Sequence, residues 1–291
     1  MHKVGQVNPR LKRIRRLELE VFKDVLVTPD KNSPENVTVV ELGGGSGYLA
    51  REMASMGLSV RSFDPNPRQP LDFPVERAYA HELPLDDSTA DLVVGSHVLE
   101  HLPKPYLSLT FREIRRALKP SGQAIIVLPT SAAMFLTILL QPLGNLRRLL
   151  IHLKRLVGLG GSVKKHPSNN PLVPQEESVG VKLVKGLTSR WLLPAPHGVG
   201  KTALHELWNW RRSSWIATFN QSGFRVLEVR SSGLAFSLHQ LGGERLWSLR
   251  RILGQLGMSG SIVFLLRPVP RRIEGAGTES KMEAGNGYAF P

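Results

Sequence analysis

Val39–Ala50, VVELGGGSGYLA, is the stretch whose reading decides the fold of this 291-residue chain. Thr38, Val39, Val40 and Leu42 form a short, β-branched, apolar run of the kind that makes a buried strand. Gly43, Gly44, Gly45 and Gly47 follow, separated only by Ser46. Glycine tolerates positive φ and lets the backbone approach a ligand closely. Tyr48, Leu49, Ala50, Met53 and Met56 then recur at roughly helical spacing. A strand that feeds a glycine loop and a helix N-terminus is expected to present free backbone N–H groups at the edge of a ligand site.

The ligand class follows from what the loop holds and lacks. A dinucleotide fingerprint needs a third glycine where Tyr48 stands, and a phosphate-cradling loop needs a lysine followed by Ser or Thr. Neither is present. Instead Glu41 lies two residues before Gly43, where a carboxylate repels a pyrophosphate and attracts a cation. The pattern Glu41-x-Gly43-x-Gly45-x-Gly47 resembles the first motif of the class I S-adenosylmethionine (AdoMet) methyltransferases. AdoMet carries a sulfonium and an ammonium. The resemblance therefore implies AdoMet as cofactor, with Glu41, Gly43, Gly45 and Gly47 among the residues that bind it.

Leu58–Phe63 reads as a second strand ending at Asp64. An acid about 20 residues past a glycine loop is spaced to cap a nucleotide ribose, and its two oxygens can accept both hydroxyls. Val75–Ala80 is expected as a third strand. Ala80–Leu102, AHELPLDDSTADLVVGSHVLEHL, closely resembles the middle motifs of the small-molecule branch of the same family. That branch usually places an acid near the adenine, four residues before the Leu-Pro pair. Here Tyr79 holds that place, and His81 and Glu82 are the nearest polar substitutes. Asp91–Gly95 is the expected fourth strand. Ligands in open α/β sheets sit off the carboxyl ends of strands, which puts Ser96, His97, Glu100 and His101 at the mouth of the site. Ser96 joins the cofactor set. His101, in the Glu-His-Leu triplet that similar methyltransferases carry, and His97 are the candidate catalytic bases. Glu100 stands at the wrong offset for an H-E-x-x-H metal motif, so no metal is expected.

A helix follows Pro103, carrying Leu107, Phe111, Ile114 and Ala117, and Lys119–Gly122 stops it. Ala124–Leu128 is the fifth strand, and its setting, LKPSGQAIIVLP, again resembles the family. Beyond Pro129 the strand–helix alternation is lost. Ala132–Leu143 is apolar but, bounded by Gln141 and Pro142, is shorter than the roughly 20 residues that span a bilayer. Leu146, Leu149, Leu150, Leu153, Leu156 and Val157 line one helical face, with Arg147, Arg148, Lys154 and Arg155 on the rest. That pattern fits either an interfacial helix on an anionic membrane surface, over 145–157, or a lid packed on the sheet. Gly198–Thr202 superficially suggests a P-loop, but Ala195 stands where its first glycine is needed. Trp210–Ser222 reads as a helix and Phe224–Arg230 as a sixth strand. Ser261–Arg267 is the seventh, antiparallel if the resemblance holds. Upstream, Ile14, Leu17, Val21, Phe22 and Val25 predict an amphipathic helix that either covers the core or carries a basic arm.

The expected architecture is α/β, a Rossmann-like, seven-stranded methyltransferase sheet with helices on both faces and a large insertion after the fifth strand. The segments are a basic N-terminal helix or arm (1–36), an AdoMet-binding core (37–129), a basic insertion (130–205), the C-terminal part of the core (206–267) and a disordered tail (268–291). The 41% hydrophobic content supports a real core. The absence of cysteine excludes disulfides, thiolate metal sites and a cysteine nucleophile. No apolar run follows the basic first residues, so the reading is cytoplasmic, peripheral to the membrane if 145–157 is interfacial. The function expected is methyl transfer from AdoMet to a small-molecule, lipid or glycan acceptor. The net charge of +14 makes RNA methylation the alternative. Against it, the fourth strand ends in Ser-His-Val-Leu rather than the Asn/Asp-Pro-Pro-aromatic motif of amino-methylating enzymes. A non-catalytic binding protein of the same fold is the second alternative; the retained acids argue against it.

Overall fold

The computed structural model describes residues 9–26, 37–156, 198–199, 202–235 and 246–270. Most of the expected basic insertion from 157 on, and the expected tail from 271 on, lie outside these residues. In chain order the elements are α1 (Pro9–Leu26), β1 (Thr38–Leu42), α2 (Tyr48–Ala54), β2 (Ser59–Phe63), β3 (Ala90–Ser96), α3 (Lys104–Ala117), β4 (Leu118–Pro129) and α4 (Ser131–Leu156). Then come α5 (Ala203–Asn209), α6 (Arg212–Gln221), β5 (Phe224–Ser231), α7 (Trp247–Leu253) and β6 (Ser261–Pro268).

Among the described residues the sheet has six strands in the order β2-β1-β3-β4-β6-β5. The first four are parallel, and β6 inserts antiparallel between β4 and β5. The expected third strand, Val75–Ala80, does not form. It makes single bridges, Phe63 to Glu76 and Tyr79 to Glu82. The reason is local: Pro74 has no N–H to give, and Glu76, Arg77 and Tyr79 are exposed. With so little to bury, the segment only touches the sheet edge, through Glu76 N–H to Ser62 O (2.8 Å) and Asp64 N–H to Glu76 O (3.0 Å).

Both faces of the sheet are covered, which explains why its central strands are apolar on both sides. One face packs Val40, Val93, Ala124 and Ile126 against Phe111 and Ile114 of α3 and Trp215 and Phe219 of α6. The other packs Val39, Val94, Ile125 and Val127 against Leu49 and Met53 of α2 and Leu19, Phe22 and Leu26 of α1. The buried stripe of α1 thus differs from the predicted one. Leu19 and Leu26 are core, Ile14, Leu17, Val21 and Val25 are only partly buried, and the charged Glu18 is buried.

The insertion begins with one helix. α4 runs through Pro142 and joins the apolar and the basic segments into 26 residues. Leu136 and Leu140 pack on Ala235, and Met134 packs on Trp210. It also leaves an apolar stripe in solvent, described below. Among the described residues no helix is long and apolar enough to cross a membrane.

Candidate active site

The glycine loop is shaped by two distinct constraints. Gly43, Gly45 and Gly47 have φ of 68°, 59° and 77°, in the left-handed region that disfavours side chains. Gly44 is held by space instead: a Cβ there would lie 1.9 Å from Ser62 Oγ and 2.7 Å from Glu41 Oε2. The loop is tied down by its own N–H groups. Those of Gly43 and Gly44 donate to Phe63 O (2.7 and 3.1 Å), that of Gly47 to Gly44 O (2.8 Å), and that of Gly45 to Asp64 Oδ2 (2.9 Å). The expectation that the loop offers free N–H groups is therefore corrected at these four positions. Their donors are spent inside the fold, so they form no anion cradle of the P-loop kind. What lines the hollow beyond the loop is charge of both signs, Glu41 and Asp64 with Lys12, Arg15 and Arg68.

That hollow, a cavity of about 120 Å³, is lined by Glu41, Gly43, Gly44, Gly45, Asp64, Ser96 and His97 together with α1 residues and Arg68. Glu41 is buried and accepts a 2.5 Å hydrogen bond from Ser62 Oγ. Burial pushes its carboxyl up to about 7, against the Ser62 hydrogen bond and the nearby Arg15 charge, which pull it down. Near neutral pH it is thus divided between its neutral and charged forms, and a cation placed beside it favours the charged one. Asp64 accepts from Gly45 N–H through one oxygen and from Asn66 N–H (2.7 Å) through the other. Each oxygen keeps a lone pair for a further donor.

A second cavity, about 510 Å³, shares Gly43 with the first and is lined by Phe63, Pro65, Ala78, Tyr79, His81, Val98 and Tyr106. Its walls are rings. The His81 imidazole lies 5.2 Å from the Tyr79 ring and 4.7 Å from the Tyr106 ring, centre to centre. His81 Nδ1 is buried without a hydrogen-bond partner. Glu82 is exposed, its N–H bonded to Tyr79 O, and lines neither cavity. Gly47 lines neither, and serves as the cap of α2 packed against Phe73.

The sequence reading missed the contribution of α1. Leu11, Lys12 and Arg15 line the first cavity. Arg15 Nη1 donates to Ser96 Oγ (2.8 Å) and to Glu18 Oε2 (2.9 Å), and Lys12 Nζ donates to Asp72 Oδ1 (2.6 Å). Lys12 and Arg15 are three apart on one helix face, a legible spacing, but nothing local says that this face meets the loop.

His97 adopts φ 55° at the end of β3, rare for a side-chain-bearing residue. Its Nε2 lies 2.8 Å from Glu18 Oε1 and its Nδ1 3.3 Å from Glu100 Oε1. Burial raises the Glu18 carboxyl, but the His97 and Arg15 charges outweigh it and hold Glu18 at about 2. Burial lowers His97, and the Glu18 charge overcomes this to raise it above its usual range. His101 is half-exposed, with Nε2 3.8 Å from Glu100 Oε1. Among the described residues no three His, Asp or Glu side chains gather in a metal-binding arrangement.

A methyltransferase-domain sequence profile matches residues 12–229, from α1 to β5. The chain belongs to the class I AdoMet-dependent methyltransferase family. It is 33% identical over 101 residues to an uncharacterized methyltransferase of Mycobacteroides abscessus, covering 31% of this chain and 38% of that one. It is 29% identical over 110 residues to one of a Mycobacterium species (strain JLS), covering 35% and 43%. The match thus spans less than half the length of these curated relatives. Among solved structures, an AdoMet-dependent methyltransferase from Archaeoglobus fulgidus superposes with a TM-score of 0.47 at 13% identity, covering 91% of this chain and 96% of that one. One from Mesorhizobium loti gives 0.45 at 15%, covering 86% and 97%.

Proposed function

We propose that this methyltransferase-family chain moves a methyl group from AdoMet to a small-molecule, lipid or glycan acceptor. The observation that carries the reading is the pairing of the buried Glu41 carboxyl with Asp64 around a side-chain-free loop. Glu41 would hold the cationic methionine end, facing Arg15 and Lys12, which suit its carboxylate. Asp64 would accept the ribose hydroxyls. The ring-walled cavity, with the orphaned His81 Nδ1, suits the adenine. The residues therefore fit the group. When bound, AdoMet supplies a sulfonium methyl whose bond to sulfur breaks as the acceptor's lone pair attacks, sulfur leaving as a thioether. The protein's part is to align the acceptor and take its proton. Both ring nitrogens of His97 face buried acids, Nε2 towards Glu18 and Nδ1 towards Glu100, so we place the base role on His101 and read His97 as a positioning residue.

An anionic membrane surface is the partner we assign to the insertion. Phe135, Leu139, Leu143, Leu146 and Leu150 of α4 are 44–58% exposed. They recur every three or four residues, as one stripe of an interfacial helix should, and Arg147 and Lys154 flank that stripe by helical position. A lid packed on the sheet would bury such a stripe.

Calorimetry with AdoMet tests the core of the proposal. The wild-type chain is expected to bind with a micromolar constant, and Glu41→Gln or Asp64→Ala to weaken binding about tenfold or more, since each removes a charge-assisted contact. Full affinity in both variants, or no wild-type binding at millimolar AdoMet, would overturn it.

A further inference from the structure

The short helix α7 has no part in the cofactor site. One of its faces is anchored. Arg250 is buried, its Nε donating to Ala235 O (2.9 Å), and the Ala235 N–H donates to Arg250 O (3.0 Å). Gly254 packs on Gly233 so closely that a Cβ there would meet its carbonyl. Leu253 and Met258 join Leu136 and Leu140 of α4 in one apolar cluster. The other face is as apolar and yet open. Leu249, Ile252 and Leu256, spaced three and four apart, are 43–70% exposed, and Arg251 beside them is exposed too. Single exposed leucines need no explanation, but a spaced row of three next to the stripe on α4 does.

Topology says which part of the molecule this surface serves. α4 follows the carboxyl end of β4 at Pro129, and α7 lies between Ser231, the last residue of β5, and Ser261, the first of β6. The register pairs Pro129 with Ser261 and Ser231 with Ile262, so these ends share one edge of the sheet. It is the edge to which β1, β2 and β3 deliver the glycine loop, Asp64 and His97. α1 joins its two halves: Lys12 and Arg15 line the glycine-loop cavity, and the Arg13 guanidinium lies 3.8 Å from the centre of the Trp247 ring. A second copy of the chain would bring another +14 charge against Arg251 and the basic residues of α4. An anionic bilayer offers acyl chains to the leucines and head groups to the cations. We propose that α4 and α7 together seat this edge on an anionic bilayer, and that the acceptor is a lipid of that bilayer whose polar head meets the cofactor there. The head-group atom gains the methyl and gives up its proton to the base, while sulfur keeps the electron pair of the broken bond. The seating rests on the membrane reading of α4, and the acceptor class on the methyl-transfer reading.

The chain has no cysteine, so single ones report position cleanly. Leu256→Cys, Leu139→Cys on α4 and Ser121→Cys at the opposite edge of the sheet are each labelled with a polarity-sensitive fluorophore and mixed with phosphatidylserine vesicles at low salt. The labels at 256 and 139 should shift to the blue and brighten, and the label at 121 should not change. Leu249→Asp/Ile252→Asp should lower vesicle affinity about tenfold, as two apolar side chains lose the bilayer, and leave AdoMet binding unchanged. With methyl-labelled AdoMet and vesicles carrying the total lipid extract of the source cells, the wild-type chain should put label into the organic phase, and the double variant severalfold less. A shift at only one of positions 256 and 139, an equal shift at 121, or unchanged vesicle affinity in the double variant would overturn the seating. So would a dimer that the double variant turns into a monomer, which gives the face to a second copy. No label in the organic phase would overturn the lipid acceptor. Absence of AdoMet binding would sink the methyl-transfer reading, while the fluorescence would still decide the seating.

Discussion

At the scale of single residues, the site turns on how burial treats a carboxyl. Glu41 is held at about 7 because it sits in the core beside Asp64, with only Ser62 and Arg15 to offset the loss of water. A cation bound beside it favours the charged form and draws its proton off. AdoMet binding is therefore expected to release roughly half a proton at pH 7, close to one at pH 6, and almost none above pH 8. Calorimetry in buffers of differing ionisation enthalpy reads this directly. Identical heats in every buffer at pH 6 would show that Glu41 does not face the cofactor. The motif itself was legible, since acid and alternating glycines are fixed by short-range geometry. Ser62 was not: it lies on the neighbouring strand, brought to Glu41 by the register Glu41–Ser62. The need for glycine at Gly44 is likewise a product of that pairing.

At the scale of elements, α1 is the part that the sequence described least well. Its amphipathic pattern gave a helix, but the face was displaced by the inclusion of Glu18, an acid that no hydropathy argument would bury. Glu18 is buried because His97 and Arg15 wait for it. Such a pair adds stability only while both partners are charged. The Glu18 contribution is present above its unfolded value of 4.5 and is lost as pH falls toward about 2. The His97 contribution is complete below 6.5 and is lost as pH rises through its elevated folded value. Glu41, also raised, acts in the same direction as His97: its contribution is complete below 4.5 and disappears as pH rises through about 7. The cofactor-free chain is thus expected to melt highest near about pH 5, lower on either side, with Glu18→Gln costing about 3–5 kcal/mol for the broken buried pair. A melting temperature that climbs steadily from pH 5 to pH 8 would show that α1 docks by some other means.

At the scale of the whole molecule, charge and topology act separately. The net charge of +14 says nothing of the fold but bears on association. With the apolar stripe of α4 it predicts that the chain floats with vesicles containing phosphatidylserine at low salt and not with neutral ones. Arg147→Glu/Arg148→Glu should reduce the floated fraction severalfold, by about 1 kcal/mol for each cation lost. Equal recovery with neutral vesicles, or none with anionic ones, would remove the membrane from the account. Topology explains why one end of the sheet is the site. The parallel strands β1, β2 and β3 all end there, so Leu42, Phe63 and Ser96 deliver the glycine loop, Asp64 and His97 to one edge.

The sequence by itself determined the strand–loop–helix core and its acids, because strand burial, positive φ and counter-charge act over a few residues. The antiparallel last strand was legible too, through resemblance. Only the tertiary structure decided that Val75–Ala80 stays at the sheet edge with single bridges, that the loop's N–H groups are already used, and that α1 lines the glycine-loop cavity. It also decided that Glu100 is buried against His97 and His101. Each of these depends on which atoms meet across the fold, and hydrogen-bond satisfaction and desolvation are properties of that meeting rather than of any stretch of chain.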